Sequence, residues 1–260
     1  ERTAISDGER TKTFTELYEA AASWARRLAG AGIKEGDIVA LLMKNSIEMI
    51  EIVHALFFLG ARALLQNVRL TPYELGWQLD DSGARFVIAD DGFADRFGGD
   101  ERVITVSALA GLAEADVPLK ETYHLDETAT IMYTSGTTGT PKGCCITHSN
   151  TVQCMLSFQV IFTGHWTPGA SRWLQFASLH FDVSVLEQYW SWSAGITLVS
   201  APRDLILSDL AGTISRLEIT HIDLTPSLAR LLHPEEVPSL CRGVFITGGE
   251  ALKQEILDVW

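Results

Sequence analysis

Basic residues are in short supply: 20 lysines and arginines stand against 33 aspartates and glutamates, a formal net charge of −13. A surface this acidic disfavours nonspecific binding to nucleic acid or to an anionic membrane. It still admits a phosphate ligand held by one local lysine, because charges at close range outweigh a screened global field. Cysteine is scarce as well. Cys144, Cys145, Cys154 and Cys241 are the four present, and no C-x-x-C pair occurs. A disulfide framework and a zinc site both need more than this, so the expectation is no metal site and buried, reduced thiols. Uninterrupted apolar runs are missing too. The longest candidate, from Ile47 to Leu65, contains Glu48, Glu51, His54 and Arg62. A membrane span would avoid these, so the run reads as a buried helix and the strand after it. With no signal-peptide pattern at the start, the expected setting is cytoplasmic.

What is present is apolar and regularly punctuated. Of 260 residues 47% are hydrophobic, enough for one large domain or two small ones. Strand and helix patterns alternate nearly throughout, which predicts an α/β fold. Asp7-Gly8 between Ala4–Ser6 and Thr11–Phe14 predicts a hairpin. Thr71-Pro72-Tyr73-Glu74 carries a cap, a first-turn proline and the glutamate of a capping box. Later strand–helix units include Trp173–Ala177 with 183–193, Thr197–Ser200 with 205–217, and His221–Leu224 with 226–232. Trp190 and Trp192 are expected to fill core space; His148, His221 and His233 receive no catalytic role. The stretch 91–127 is richer in Gly, Asp and Glu and reads as a surface excursion between two α/β lobes. Residues 1–128 are expected to form the first lobe and 129–260 the second. The run from Glu250 to Trp260 resembles a helix cut off without a C-cap glycine, so the chain is expected to be a fragment.

One segment carries the most chemistry: Tyr133-Thr134-Ser135-Gly136-Thr137-Thr138-Gly139-Thr140-Pro141-Lys142-Gly143. It follows the β-prone run Ala129–Met132. Glycines let the backbone approach a ligand closely, and exposed N–H groups, hydroxyls and a lysine suit a polyphosphate. It is not the usual P-loop, whose lysine directly follows the second glycine and precedes Ser or Thr. Here Thr140 and Pro141 intervene, and Gly143 follows the lysine.

This motif resembles the signature loop of the adenylate-forming superfamily, which includes acyl- and aryl-CoA synthetases, luciferases and the adenylation domains of nonribosomal peptide synthetases. The resemblance implies the large N-terminal core of such an enzyme, with two α/β lobes and mostly parallel sheets. In that setting Thr134, Thr137, Thr138 and Lys142 would act on the β- and γ-phosphates of ATP, helped by Ser135, Gly136, Gly139 and Gly143. A second match is His180-Phe181-Asp182-Val183-Ser184. By itself it reads equally well as a β-to-α turn capped by Asp182. In peptide-synthetase adenylation domains a similar F-D-x-S places its aspartate against the substrate's α-ammonium, and His180 and Phe181 resemble the family's aromatic gate at the α-phosphate. A third match, Thr247-Gly248-Gly249-Glu250-Ala251 after a strand, is weak alone; in the family G-G-E-A lines the adenine pocket.

The same resemblance sets Val183, Leu186, Asp223, Ile246 and Gly248 on the substrate-pocket wall. Asp223 lies between Ile222 and Leu224, where an acid needs a partner. It would either hydrogen-bond a polar group on the substrate side chain or cap the helix starting near Pro226. A roomy, polar pocket, and likeness to fungal siderophore synthetases from Leu174 through Gly249, point to a long polar amino acid such as an acylated hydroxyornithine. The family's adenine- and magnesium-contacting motif, ribose-binding aspartate and C-terminal lid have no counterpart up to Trp260, so this chain alone is expected not to complete adenylation.

The expected function is ATP-dependent activation of an amino acid as aminoacyl-AMP, with pyrophosphate release, for loading onto phosphopantetheine on a carrier domain. ATP and Mg²⁺ are the implied cofactors; carrier and condensation domains are the implied partners, with no nucleic acid and no membrane. The run Leu64–Pro72 departs from the peptide-synthetase pattern and looks closer to an acyl- or aryl-CoA synthetase, which is the first alternative. A noncatalytic nucleotide-binding module is the alternative of another class.

Overall fold

Short apolar runs between helix-start signals become parallel strands joined by crossover helices. The computed structural model describes residues 1–134 and 139–260. Ser135, Gly136, Thr137 and Thr138 of the expected phosphate loop lie outside the described residues.

Twelve strands occur among the described residues: β1 (Thr3–Ser6), β2 (Thr11–Thr13), β3 (Ile38–Leu42), β4 (Arg62–Leu65), β5 (Phe86–Ala89), β6 (Val103–Thr105), β7 (Thr128–Thr134), β8 (Lys142–Thr147), β9 (Arg172–Gln175), β10 (Thr197–Ser200), β11 (His221–Leu224) and β12 (Val244–Thr247). They form two six-stranded sheets, ordered β12-β11-β9-β10-β1-β2 and β6-β5-β3-β4-β7-β8. Each is parallel except for one antiparallel edge strand, β2 on β1 and β8 on β7. Strands such as Ile38-Val-Ala-Leu-Leu42 are apolar at every position because helices cover both faces of a parallel sheet.

The chain divides into two compact units. One comprises Glu1–Thr15, Asn45–Ile47 and Gln153–Trp260; the other comprises Glu16–Lys44 and Glu48–Val152. This differs from a cut after residue 128. The phosphate-loop strand β7 pairs with β4, and β8 with β7, in the sheet of residues 38–147, whereas the N-terminal hairpin pairs with β10 through β1. Pairing across nearly 200 residues of sequence leaves no local signal. The stretch 91–127 is likewise not an excursion between lobes: β6 inside it is the outer strand beside β5.

In the second unit, α1 (Phe14–Gly30), α2 (Ile47–Leu59) and α3 (Pro72–Ser82) lie between successive strands. The core there includes Ala40, Leu64, Leu79, Val87 and Ile131. The capping box forms: the Thr71 hydroxyl accepts from the Glu74 amide, and the Glu74 carboxylate accepts from the Thr71 amide. In the first unit Leu174, Val199, Ile206, Ile214, Ile222 and Leu232 form the core. Trp190 is fully buried with Trp173, and the Trp192 indole donates to the Ala4 carbonyl. His221 is also buried, with its ring nitrogens on Thr220 and the His165 carbonyl.

Local breaks depart from the sequence expectations. The expected helix 183–193 contains a single π-helical turn, Leu186–Trp190. The expected helix 205–217 divides at Asp209, whose carboxylate accepts from the Gly212 amide and starts the second piece. The terminal helix begins at Gln254, not Glu250, because Lys253 ahead of it is extended, at φ −96° and ψ 147°. Cys144, Cys145 and Cys241 are exposed and Cys154 is half-buried, against the expectation of buried thiols. Cys144 and Cys145 lie on the edge strand β8, whose outer side has no neighbouring strand. No helix among the described residues is long and apolar enough to cross a membrane.

Candidate active site

Strand order gives a topological switch point in the first unit. The chain runs from β9 to β10 and then crosses back to β11 on the other side of β9. The connections leaving β9 and β10 therefore diverge, and open α/β sheets bind ligands at the carboxyl ends of strands at such a switch point. Asp223 is on β11 near its carboxyl end, Ile246 is on β12 opposite it, and Gly248 follows β12. The segment leaving β9 carries His180, Phe181 and Asp182, and the helical segment after it carries Val183 and Leu186.

Asp182 is exposed, and among the described residues its carboxylate accepts only from the amide of the next residue, Val183, at 2.9 Å. A true N-cap reaches the second or third helical amide, so capping occupies little of this carboxylate. The turn is instead closed by the buried Ser184 hydroxyl, which donates to the carbonyls of Phe181 and Leu179 at 2.6 and 3.2 Å. His180 and Phe181 pack ring to ring, with centroids 4.3 Å apart. Leu186 is buried, and Val183 partly so.

Asp223 is half-buried and receives no hydrogen bond among the described residues. Burial, and then the nearby charge of Asp182, push its carboxyl up to about 6. The helix-capping alternative for Asp223 is not realised: Thr225 occupies the cap position ahead of Pro226. The two acids thus stand close enough to repel each other. Burial, with a further contribution from Asp182, also raises the thiol of Cys154.

At the end of β12, the Thr247 hydroxyl is buried without a partner among the described residues. Gly248, Gly249, Glu250 and Ala251 are exposed, with open space where a Gly248 or Gly249 side chain would stand. Glu250 is engaged: its carboxylate accepts from both the amide and the hydroxyl of Ser227, which hold it below the usual carboxylate range.

In the second unit, Thr134 and Lys142 face each other as the last pair of the β7–β8 ladder. Thr134 and Lys142 are both exposed. Gly139 has φ 84°, a left-handed turn that favours glycine. Gly143 faces Tyr133, whose ring would lie 3.2 Å from any side-chain carbon placed there, so its small size serves cross-strand packing. Tyr133 in turn donates to Asp81 at 2.5 Å.

Sequence reasoning passed over Glu187. It is fully buried, and its carboxylate accepts from the amides of Phe176 at 3.0 Å and Ala177 at 3.0 and 3.1 Å. Burial pushes that carboxyl well above the usual range, with Asp223 contributing and Arg203 opposing. An acid five residues after Asp182, inside an otherwise apolar helical run, is the signal that could have found it.

A parallel α/β sheet with two neighbouring acids near its switch point, and a second sheet with a lysine at the end of its antiparallel edge ladder, make up the described framework. The chain belongs to the AMP-binding enzyme family, whose model matches residues 1–260. It is 75% identical over 150 residues to 2-succinylbenzoate–CoA ligase of Geobacillus kaustophilus, covering 58% of this chain and 31% of that protein. It is 68% identical over 158 residues to nonribosomal peptide synthetase SIDC of Beauveria bassiana, covering 61% of this chain and 3% of that protein. A hydroxamate-type ferrichrome siderophore peptide synthetase of Schizosaccharomyces pombe is 43% identical over 252 residues, 95% of this chain and 5% of that protein. The chain thus spans under a third of the length of these curated relatives. Among solved structures, O-succinylbenzoate coenzyme A synthetase (MenE) from Bacillus subtilis in complex with AMP superposes with a TM-score of 0.87 at 32% identity, over 99% of this chain and 66% of that one. The same enzyme in complex with ATP and magnesium ion gives 0.84 at 32% identity, over 98% and 68%. The α/β fold with mostly parallel sheets agrees with this family.

Proposed function

We propose that this chain is part of an amino-acid adenylation domain of a nonribosomal peptide synthetase. The observation that carries the reading is the pair Asp182 and Asp223: two acids at a switch-point crevice, one exposed and one half-buried without a partner. An uncompensated acid in partly dry surroundings is costly, and a substrate ammonium offsets that cost. Asp182 holds the α-ammonium by a charge-assisted contact. Asp223 accepts a hydrogen bond from a polar group farther along the side chain, and the open space at Gly248 admits a long one. A siderophore precursor such as an acylated hydroxyornithine fits these demands, and the similarity to the ferrichrome synthetase supports it.

The reaction places an amino-acid carboxylate in line with the α-phosphorus of ATP. A carboxylate oxygen forms the new P–O bond as the bond to pyrophosphate breaks, giving aminoacyl-AMP. No side chain acts as nucleophile. Lys142 offsets charge on the departing phosphates, and Thr134, Ser135, Thr137 and Thr138 donate to them. The Thr247 hydroxyl, unpartnered among the described residues, the open space at Gly248 and Gly249, and the exposed Ala251 fit an adenine face, with His180 and Phe181 at the α-phosphate. Magnesium is assigned no ligand, since no cluster of three acidic, His or Cys side chains occurs among the described residues. The aminoacyl group then passes to phosphopantetheine on a carrier domain of the same synthetase, in a cytoplasmic setting.

The second reading is an acyl- or aryl-CoA synthetase, favoured by the 75% identity to a CoA ligase and by the run Leu64–Pro72. The test is acid-dependent ATP–pyrophosphate exchange by the whole protein carrying this chain. The acids would be hydroxyornithine derivatives, standard amino acids, and fatty and aryl acids. Exchange with an amino acid that Asp182→Ala abolishes is the expected result. Exchange only with acids lacking an amine, untouched by that substitution, would establish the CoA-ligase reading instead.

A further inference from the structure

We propose that Glu187 is a positioning residue: it fixes the segment 176–182 where that segment leaves β9, and so sets the places of His180, Phe181 and Asp182. The inference rests on reading the switch-point crevice as the acid-binding site. Phe176 and Ala177 are the first residues past β9, beyond the reach of its ladder. Their amides would be orphaned beside a buried core, and an orphaned buried amide is costly. The Glu187 carboxylate takes both, with three contacts between 3.0 and 3.1 Å. The Ala177 carbonyl is held by the side-chain amide of the buried Asn45 at 3.0 Å.

At its far end the same segment is held by Ser184, which donates to Leu179 and Phe181. Both clamps come from one short helical stretch, so the segment is a loop pinned at entry and exit with the chemistry-bearing residues between. Glu187 itself stands in the π-helical turn Leu186–Trp190, a rare element found mostly at functional sites. It touches neither reacting group, so its effect travels through the segment. Burial holds its carboxyl well above the ordinary range. A glutamine, whose carbonyl accepts the same amides at the same reach, therefore substitutes for it. Methionine keeps the volume and removes the acceptors.

The experiment compares the whole protein carrying this chain with E187M and E187Q. Pyrophosphate exchange gives kcat and both KM values per folded molecule, and amide hydrogen exchange of 176–182 is read alongside. For E187M the KM for the acid rises about tenfold or more and kcat falls, while the KM for ATP stays within about twofold, the signature of a misplaced binding group. Exchange of 176–182 accelerates in E187M, and E187Q restores every reading to within about threefold of wild type. If E187M does not fold, E187D, one methylene too short to reach both amides, is expected to show the same KM split. Unchanged acid KM and unchanged segment exchange in the folded variant, or losses that only follow the folded fraction, would overturn the proposal. Should the wild type accept only acids without an amine, the amino-acid reading fails by itself. The same comparison with the accepted acid, and the exchange of 176–182, then still decide the role of Glu187.

Discussion

Replacing Asp223 by asparagine is expected to stabilise the fold at neutral pH while it impairs the crevice. Asp223 is half-buried, receives no hydrogen bond among the described residues, and has its carboxyl raised from the ordinary 3.8 to about 6, first by burial and then by Asp182. A raised carboxyl means that the native state holds its proton where the unfolded chain has released it. Stability therefore falls as pH rises from about 4 through about 6, and the ionised acid is a net cost above that window. Each tenfold displacement of the proton equilibrium is worth about 1.4 kcal/mol, so the undiminished cost is about 3 kcal/mol. The group is partly solvated, and water screening leaves on the order of 1.5 kcal/mol. For a chain of this size that corresponds to a Tm about 3–6 °C higher for D223N at pH 7.5. The assay is urea or thermal unfolding of both proteins across pH 4 to 8. The gain should be full at pH 7.5 and vanish near pH 4. It should also shrink in a D182N background, because the two carboxylates interact and their effects do not add. An asparagine variant that is neutral or less stable at pH 7.5, or whose gain does not change with pH, would refute the reasoning that Asp223 is an uncompensated acid. Amino-acid affinity is expected to move the opposite way, the usual relation between a strained site and stability.

Two further outcomes follow from the geometry. Lys142→Ala, at the exposed end of the β7–β8 ladder, should lower pyrophosphate exchange about 10²–10³-fold with little change in Tm; activity within about threefold of wild type would remove the lysine from the reaction. Thr71→Ala removes the acceptor of the Glu74 amide and should lower the Tm by about 2–4 °C without altering exchange kinetics, and an unmoved unfolding midpoint would show that the capping box contributes nothing.

Local features were legible in the chain because their physics is local. The capping box at Thr71, the hairpin at Asp7-Gly8 and the strands Thr197–Ser200 and His221–Leu224 depend on neighbours within a few residues. The hydroxyl- and glycine-rich run ending in Lys142 and Gly143, and the F-D-x-S at 181–184, marked the chemistry by residue type alone. Asp223 stood out as an acid between two apolar residues of a strand. These sufficed for an α/β fold and for the AMP-binding family.

Long-range pairing and burial were decided elsewhere. That β1 lies beside β10, and that β7 and β8 belong with β3–β6, depends on contacts between segments far apart in the chain, so the boundary drawn after residue 128 missed both. The cysteines after Lys142 read as core because their strand is apolar, but that strand is a sheet edge with one side open. Glu187 looked like an ordinary helical glutamate. Only the fold brings it to the end of β9, where two amides without ladder partners give its buried carboxylate a function. Residue type and spacing determined the family to which this chain belongs. The tertiary structure alone decided which groups are dry and which lack a partner, because desolvation and long-range hydrogen bonding do not exist until the strands have paired.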